Sequence, residues 1–399
     1  MPCTNAIMSH NGAEINQIPA SDVNMETPRE PAVPEIVWYE HIQGSKPILE
    51  HCITAPFDAH FTRGVKVSPD GLCILTNSDD NVLRLFDVEP DLQSETLRMH
   101  EGGTVYDFQW YPYMNSEDPA TCVFATTSHA HPVHLWDAYT GDLRATYRAY
   151  DHLDELTSAY SVAFNGTGDK IFCGFDRTIR FFDVSQPSRD FSTRSLSKTK
   201  KTRHGQRGII STIHFNPDHS KMYAAGSYSG STCIYAEDSG ELFMGLEGHD
   251  GQGITQVQFT PNGQYLLTGA RKNHTINVWD IRNTMQVLHT FKREAPTNQR
   301  IAFDIHIGSR YVVTGSADAR VLMYDMYTGE CVSEIATLPE CVNGVSFFPF
   351  PDTARIALCT GQRTYTLPPD MTDDDAEVAN VGARHCVQVY DYHPQLPEQ

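Results

Sequence analysis

One unit recurs along this chain, and its recurrence limits the fold more than any other feature. Its most legible copy begins with Gly248-His249 and the alternating run Ile254-Thr255-Gln256-Val257-Gln258-Phe259. It continues through the turn Pro261-Asn262-Gly263 and the small-residue run Tyr265-Leu266-Leu267-Thr268-Gly269, and ends in Ile276-Asn277-Val278-Trp279-Asp280. Alternating apolar and polar residues mark strands, and Pro-Asn-Gly marks a tight turn between them. The closing Asp returns as Asp87, Asp137, Asp183, Asp280, Asp325 and Asp391, with Ala236 in its place in the fourth copy. Successive endings lie 44 to 66 residues apart, whereas one four-stranded propeller blade takes about 40–45. The surplus predicts loop insertions over 113–121, 186–201 and 362–383. Seven endings predict seven blades, and hence an all-β, seven-bladed β-propeller over residues 35–393.

The Gly-His and Trp-Asp signatures, with the turn between them, resemble the WD repeat. Asp391 is followed by eight residues, so the last blade lacks its own outer strand. The strand-like segment 36–53 is expected to supply it and close the ring without a free sheet edge. An Asp seven residues before the terminal Asp is expected to cap the turn between strands b and c, as Asp80, Asp176 and Asp318. In WD repeats, His, Ser or Thr, Asp and Trp side chains form a buried hydrogen-bonded network. The resemblance implies that His152, His249 and Trp279 serve in it; Asn273 stands where the fifth copy would carry its Asp, which leaves that network incomplete. Residues 1–34, rich in Pro, Asn, Glu and Ser, read as a disordered tail, and the acidic run 370–377 as a disordered loop in the last blade.

Composition excludes several classes. No stretch approaches the roughly 18 consecutive apolar residues of a membrane helix, and no basic segment followed by an apolar core marks a secretory signal. The 10 Cys are scattered without a C-x-x-C pair, the usage of reduced thiols in an intracellular chain. The formal net charge is −20, from 30 Lys and Arg against 50 Asp and Glu. A nucleic acid would be repelled by that total, so any such site must be a local basic patch on an acidic body.

Longer stretches are more specific than Trp-Asp pairs. They include Gly71-Leu72-Cys73-Ile74-Leu75-Thr76-Asn77-Ser78, His134-Leu135-Trp136-Asp137-Ala138, Cys173-Gly174-Phe175-Asp176-Arg177-Thr178, Gly269-Ala270-Arg271-Lys272, Thr297-Asn298-Gln299-Arg300 and Thr360-Gly361-Gln362-Arg363. The strongest is Ala149-Tyr150-Asp151-His152-Leu153-Asp154-Glu155-Leu156. Together, from about Pro69 to Arg363, they resemble the telomerase Cajal body protein family. The resemblance implies a scaffold that binds small Cajal body RNAs and telomerase RNA, carries their ribonucleoproteins to Cajal bodies and supports telomerase assembly. It implies ribonucleoprotein proteins and telomerase components as partners, and a nuclear, Cajal-body location with a cytoplasmic pool as well. The tail before the propeller is short beside that of vertebrate relatives, and the acidic run need not match the family's own insertion.

On a WD propeller, the loops joining d to a and b to c share one face, here called the top. That geometry places Arg177, Arg271, Lys272 and Arg363 on b–c loops and Arg300 before the sixth blade. The most basic stretch, Arg194 to Arg207, contains Lys198, Lys200, Lys201, Arg203 and Arg207. These cations form the candidate RNA-binding set, with Phe175 and Tyr228 as stacking platforms for unpaired bases. A Lys-rich run is also the composition of a solvated insertion or a nuclear import signal.

Other constellations are weaker. His129, His131 and His134 share a strand-like stretch, but no carboxylate or Cys in the sequence completes a metal set. His152, Asp154 and Glu155 suggest acid–base chemistry, but they fall in a top-face loop. Cys331 and Cys341 have no His or Asn partner that sequence can place. The expectation is a monomeric binding propeller, not an enzyme, with no metal or cofactor. The other reading is a protein-interaction adaptor without direct RNA binding; fold alone does not choose between them.

Overall fold

The alternating runs fold as strands, and the Pro- and Gly-marked breaks as turns. The computed structural model describes residues 47–54, 57, 60–88, 92, 94–197, 205–283, 286–335, 338–352, 354–362 and 385–392. Among these, 28 strands form seven antiparallel sheets of four. Six blades run in chain order over 62–100, 105–147, 161–195, 210–246, 254–292 and 303–335. The seven expected endings are the ends of the seven c strands, Asp87, Asp137, Asp183, Ala236, Asp280, Asp325 and Asp391. In four of them the carboxylate caps the c–d turn: Asp137 Oδ1 accepts from the backbone N–H of Tyr139 at 2.7 Å and of Thr140 at 3.0 Å, and Asp183, Asp280 and Asp325 each accept from the N–H two residues on.

The seventh blade joins the two ends of the described chain. Its outer strand β1 (Ile48–Ile53) pairs antiparallel with β28 (Cys386–Asp391), which pairs with β27 (Ile356–Thr360) and then β26 (Val342–Phe347). The expected closing strand is thus the second half of segment 36–53; its first half, the 1–34 tail and the 370–377 run lie outside the described residues.

Apolar side chains pack between neighbouring blades. Phe172 of blade 3 stacks on Phe181 at 4.9 Å and meets Phe215 and Tyr223 of blade 4 at 4.9 and 5.5 Å. Arg194, part of the basic stretch, caps this stack: its guanidinium lies 4.8 Å from the Phe181 centroid and donates to Tyr223 Oη and to the Glu237 carbonyl.

A chain beginning at Thr54 lacks β1 and leaves the β28 edge unpaired. Its melting temperature should fall by roughly 5 °C or more, and light scattering should detect self-association through the bare edge. Unchanged melting and mass would show that β1 does not close the ring.

Candidate nucleic-acid interface

The top face is held by polar side chains that reach from the d–a loops into the blades. In blade 5, the imidazole Nε2 of His249, which is 2 % exposed, sits 2.9 Å from Thr268 Oγ1, and Trp279 Nε1 donates to the same oxygen at 3.0 Å. Asn273 Oδ1 is turned into its own turn, accepting from the N–H and hydroxyl of Thr275 at 2.9 and 2.6 Å. His249, Thr268 and Trp279 form the centre of the network, and the Asn273 side chain also bears on the His249 imidazole, so, contrary to expectation, the Asn does not leave the network incomplete.

Blade 2 builds the same network on a residue the sequence reading missed. Glu101, 7 % exposed, accepts from Ser128 Oγ at 2.9 Å, His134 Nδ1 at 3.0 Å, Trp136 Nε1 at 3.1 Å and the Thr126 hydroxyl. Burial alone would raise its pKa, but the bonds from His134, Thr126 and Trp136 outweigh it and hold the carboxyl below its ordinary value. His134 is thus a partner of a buried carboxylate. Among the described residues no group of His, Cys, Asp and Glu is disposed to hold a metal ion.

Two further blades use still other side chains. In blade 4, Gln206 donates to the Ala225 carbonyl at 2.7 Å and accepts from Tyr235 Oη at 3.1 Å. In blade 6, buried Arg293 donates to the Ile301 carbonyl at 2.8 Å and to Thr314 Oγ1 at 3.0 Å, and desolvation pushes its pKa down to about 10. The signal was available: a polar residue before strand a, opposite a Trp or Tyr one position before the blade ending. A search restricted to His misses it.

Two structural assignments need correction. His152 is exposed, not buried. The loop is pinched by the Tyr150–Leu156 bridge, and the Asp151 carboxylate organises it by accepting from the N–H of Leu153 and Glu155 at 2.8 and 3.0 Å. Blade 3 also carries Phe182 where blade 2 has Trp136 and blade 4 has Tyr235, so no indole N–H or phenol hydroxyl awaits a partner. Asp176 does not cap its turn; its carboxylate faces Arg177 Nε at 3.2 Å. In blades 1 and 6 the equivalent Asp80 and Asp318 are held by the hydroxyls of Ser78 and Ser316, two residues earlier, and blade 3 has Gly174 there.

The b–c turns share a backbone demand. Each of five holds a non-glycine residue with positive φ: Asn81, Ala130, Arg177, Lys272 and Ala319, at φ from 51° to 63°. Blade 4 answers the demand with Gly230 at φ 90°. The left-handed conformation costs a residue with a Cβ roughly 1–2 kcal/mol. Blades 3 and 5 bear that cost with long cations.

These two cations sit on a continuous arc. Leu196 N–H donates to the Arg177 carbonyl at 3.0 Å and Arg177 N–H to the Gly208 carbonyl at 2.9 Å. The Arg207 carbonyl accepts from the hydroxyls of Ser227 and Ser229, flanking Tyr228, and the Arg207 side chain is exposed. The Arg271 guanidinium lies 5.0 Å from the centroid of the Tyr228 ring, which is 38 % exposed. Lys272 N–H donates to the Thr297 carbonyl at 2.9 Å. Arg177, Arg207, Arg271 and Lys272 thus line the rim of blades 3 to 5.

The remaining candidates fall elsewhere. Lys198, Lys200, Lys201, Arg203 and Arg363 lie outside the described residues. Phe175 is 5 % exposed beneath the Arg180 guanidinium at 4.7 Å, so it offers no open ring face. Arg300 turns into the central channel, a cavity of about 820 Å³ whose lining includes Arg63, Lys66, Asp107, His214 and Asp304. There Arg300 Nη1 lies 3.1 Å from Asp107 Oδ1, and Lys66 Nζ donates to the Phe108 carbonyl and Gln109 Oε1, each at 2.6 Å. Desolvation, assisted by nearby Lys66, pushes the His214 imidazole down to about 4, and its Nδ1 accepts from Phe259 N–H at 3.3 Å.

Comparison with known proteins accords with this geometry. A family model described as "WD domain, G-beta repeat" matches residues 51–87, 146–183 and 240–280. Each match starts in, or two residues before, the outer strand of one blade and ends at the c strand of the next, as a ring closed by β1 requires. Over 333 residues the chain is 41% identical to telomerase Cajal body protein 1 of Mus musculus, covering 79% of this chain and 61% of the relative. The chain belongs to the telomerase Cajal body protein family. The Homo sapiens telomerase Cajal body protein 1 is 41% identical over 336 residues, covering 80% of this chain and 60% of the relative. The telomerase Cajal body protein 1 homolog of Drosophila melanogaster is 33% identical over 333 residues, covering 78% and 59%. The chain therefore spans about three fifths of the length of the curated relatives it matches.

In this family member, Glu101→Ala should strand four buried donors and cost about 3 kcal/mol, read by urea denaturation; a loss below about 1 kcal/mol would show that the network is dispensable. Protonating His214 favours the unfolded chain, because its folded pKa lies below the ordinary 6.5. Stability present above pH 6.5 should therefore be lost as the pH falls toward 4, with buried His249, also shifted down, adding to the loss. His214→Gln, which keeps an acceptor, should flatten that part of a melting-temperature profile against pH.

Proposed function

We propose that this chain is an RNA-binding scaffold that recognises small Cajal body RNAs and telomerase RNA. It carries their ribonucleoproteins to Cajal bodies in the nucleus and supports telomerase assembly, working as a monomeric propeller of residues 35–393. The names of its relatives support this reading, and so does the rim of blades 3 to 5. The observation that carries it is the placement of Arg177 and Lys272 at left-handed turn positions, where Asn81, Ala130 and Ala319 serve the other blades. All five turns bear the same backbone cost, since Ala and Asn also carry a Cβ; what sets blades 3 and 5 apart is that the side chain displayed there is a long cation. Phosphates would sit on this arc, and an unpaired base would stack beside Tyr228 and Arg271, as loops and single strands bind elsewhere. In the sequence, the basic segment holding Lys198, Lys200, Lys201 and Arg203 connects the last strand of blade 3 to the first of blade 4.

Crosslinking of the chain in cell extract, followed by RNA sequencing, should recover small Cajal body RNAs and telomerase RNA. Reversing Lys198, Lys200, Lys201 and Arg203 together to Glu should abolish binding without lowering the melting temperature. Arg271→Ala should weaken it about tenfold by removing one stacked contact. Binding should also weaken steeply as salt rises. Normal RNA binding by the fourfold variant would remove that segment from the site. Recovery of proteins without RNA would favour the adaptor reading.

A further inference from the structure

The face opposite the rim differs in chemistry. It is made of a–b and c–d turns, and on blades 7, 1 and 2 these expose large apolar side chains: Phe350 at 39 %, Leu72 at 42 %, Tyr113 at 54 % and Tyr139 at 66 %. They are one surface. The Phe350 ring lies so close over Gly71 that a Cβ there would come within 2.5 Å of it, and Gly71 has φ +76°. Asp70 Oδ2 accepts from Ser116 N–H at 2.8 Å, joining the turns of blades 1 and 2. Arg144 donates to the carbonyls of Pro119 and Ala120, holding the insertion 113–121 beside the Tyr139 turn.

The charge on this surface is one-sided. Glu117, Asp118, Asp142 and Asp352 are exposed around the apolar side chains. The cations there are already engaged: Arg144 with Asp137 at 2.7 Å and Arg355 with Glu50 at 2.8 Å. A soluble ring gains nothing by exposing aromatic rings on a braced surface unless something covers them. Exposed aromatic faces amid carboxylates suit a guanidinium, which is planar, weakly hydrated and attracted by both. RNA is repelled by the same carboxylates.

The geometry points to this face as a docking surface for an arginine-bearing segment of a protein partner. Arginine is preferred to lysine because the rings of Tyr139, Tyr113 and Phe350 reward a flat cation that stacks. The acids steer the segment and the rings select it. The surface lies across the ring from the RNA rim, so both are occupied together, and each proposal stands or falls alone.

The test uses the full chain and two fluorescein-labelled dodecapeptides, alternating Arg with Gly or Lys with Gly, titrated by anisotropy at physiological salt. The arginine peptide should bind, and the lysine peptide several-fold more weakly. Tyr139→Ala should weaken the arginine peptide about threefold and leave the lysine peptide nearly unchanged. Glu117→Lys with Asp118→Lys should weaken both about tenfold. Melting temperatures confirm that each variant is folded. Equal binding of the two peptides or indifference to Tyr139→Ala would each overturn the proposal, as would no binding at all.

Discussion

The pairing of β1 with β28 is the constraint on which the rest of the molecule depends. A propeller blade is a small twisted sheet with two faces to bury, and neither can be buried without a neighbour on each side. Only a closed ring gives every blade two neighbours, and here the closing bonds join residues more than 330 positions apart, such as Ile53 with Val387. Closure also fixes side chains near the seam: Thr62 Oγ1 donates to the Thr360 carbonyl at 2.9 Å across the join. Folding must therefore bring the most distant parts of the described chain together before the first and last blades are stable, a slow topology by contact order.

Within that frame each blade solves one recurring problem differently. The d–a loop must be tied to the strands beneath it, and the tie is a buried polar group that meets a Thr of strand b or a Trp or Tyr of strand c. Glu101, Gln206, His249 and Arg293 are an acid, an amide, an imidazole and a base in corresponding places. Their charges are not interchangeable, because each is satisfied by its own donors or acceptors. The variety individualises blades that share one backbone.

How far the sequence could be read follows from the range of the interactions involved. The blade endings and the closing strand were legible because alternation and turn chemistry are local. Of the expected insertions, 113–121 is a loop, 186–201 contains the outer strand Ser192–Ser195 of blade 3, and 362–383 lies almost wholly outside the described residues. The Arg271–Tyr228 contact was half legible, since both residues stand in b–c turns of adjacent blades. What escaped depends on neighbours far away in the chain. Arg300 sits in a top-face loop by position, yet its guanidinium is drawn to Asp107, 193 residues earlier. Phe175 follows a strand and looks exposed, yet Arg180 folds over it. His152 matches a spacing whose meaning rests on an indole that blade 3 does not have. Asp176 failed for want of one hydroxyl, at Gly174.

The Arg300–Asp107 bond has a wider consequence. Blades 2 and 6 are not adjacent, so a bond between them crosses the hole in the ring. It is a crossbar: it ties two arcs directly through the channel, where Lys66 of blade 1 also acts on His214 of blade 4. A disturbance that loosens blade 6 would be felt in blade 2 without passing through blades 7 and 1, and a partner seated on one side of the disc could thereby stiffen the other.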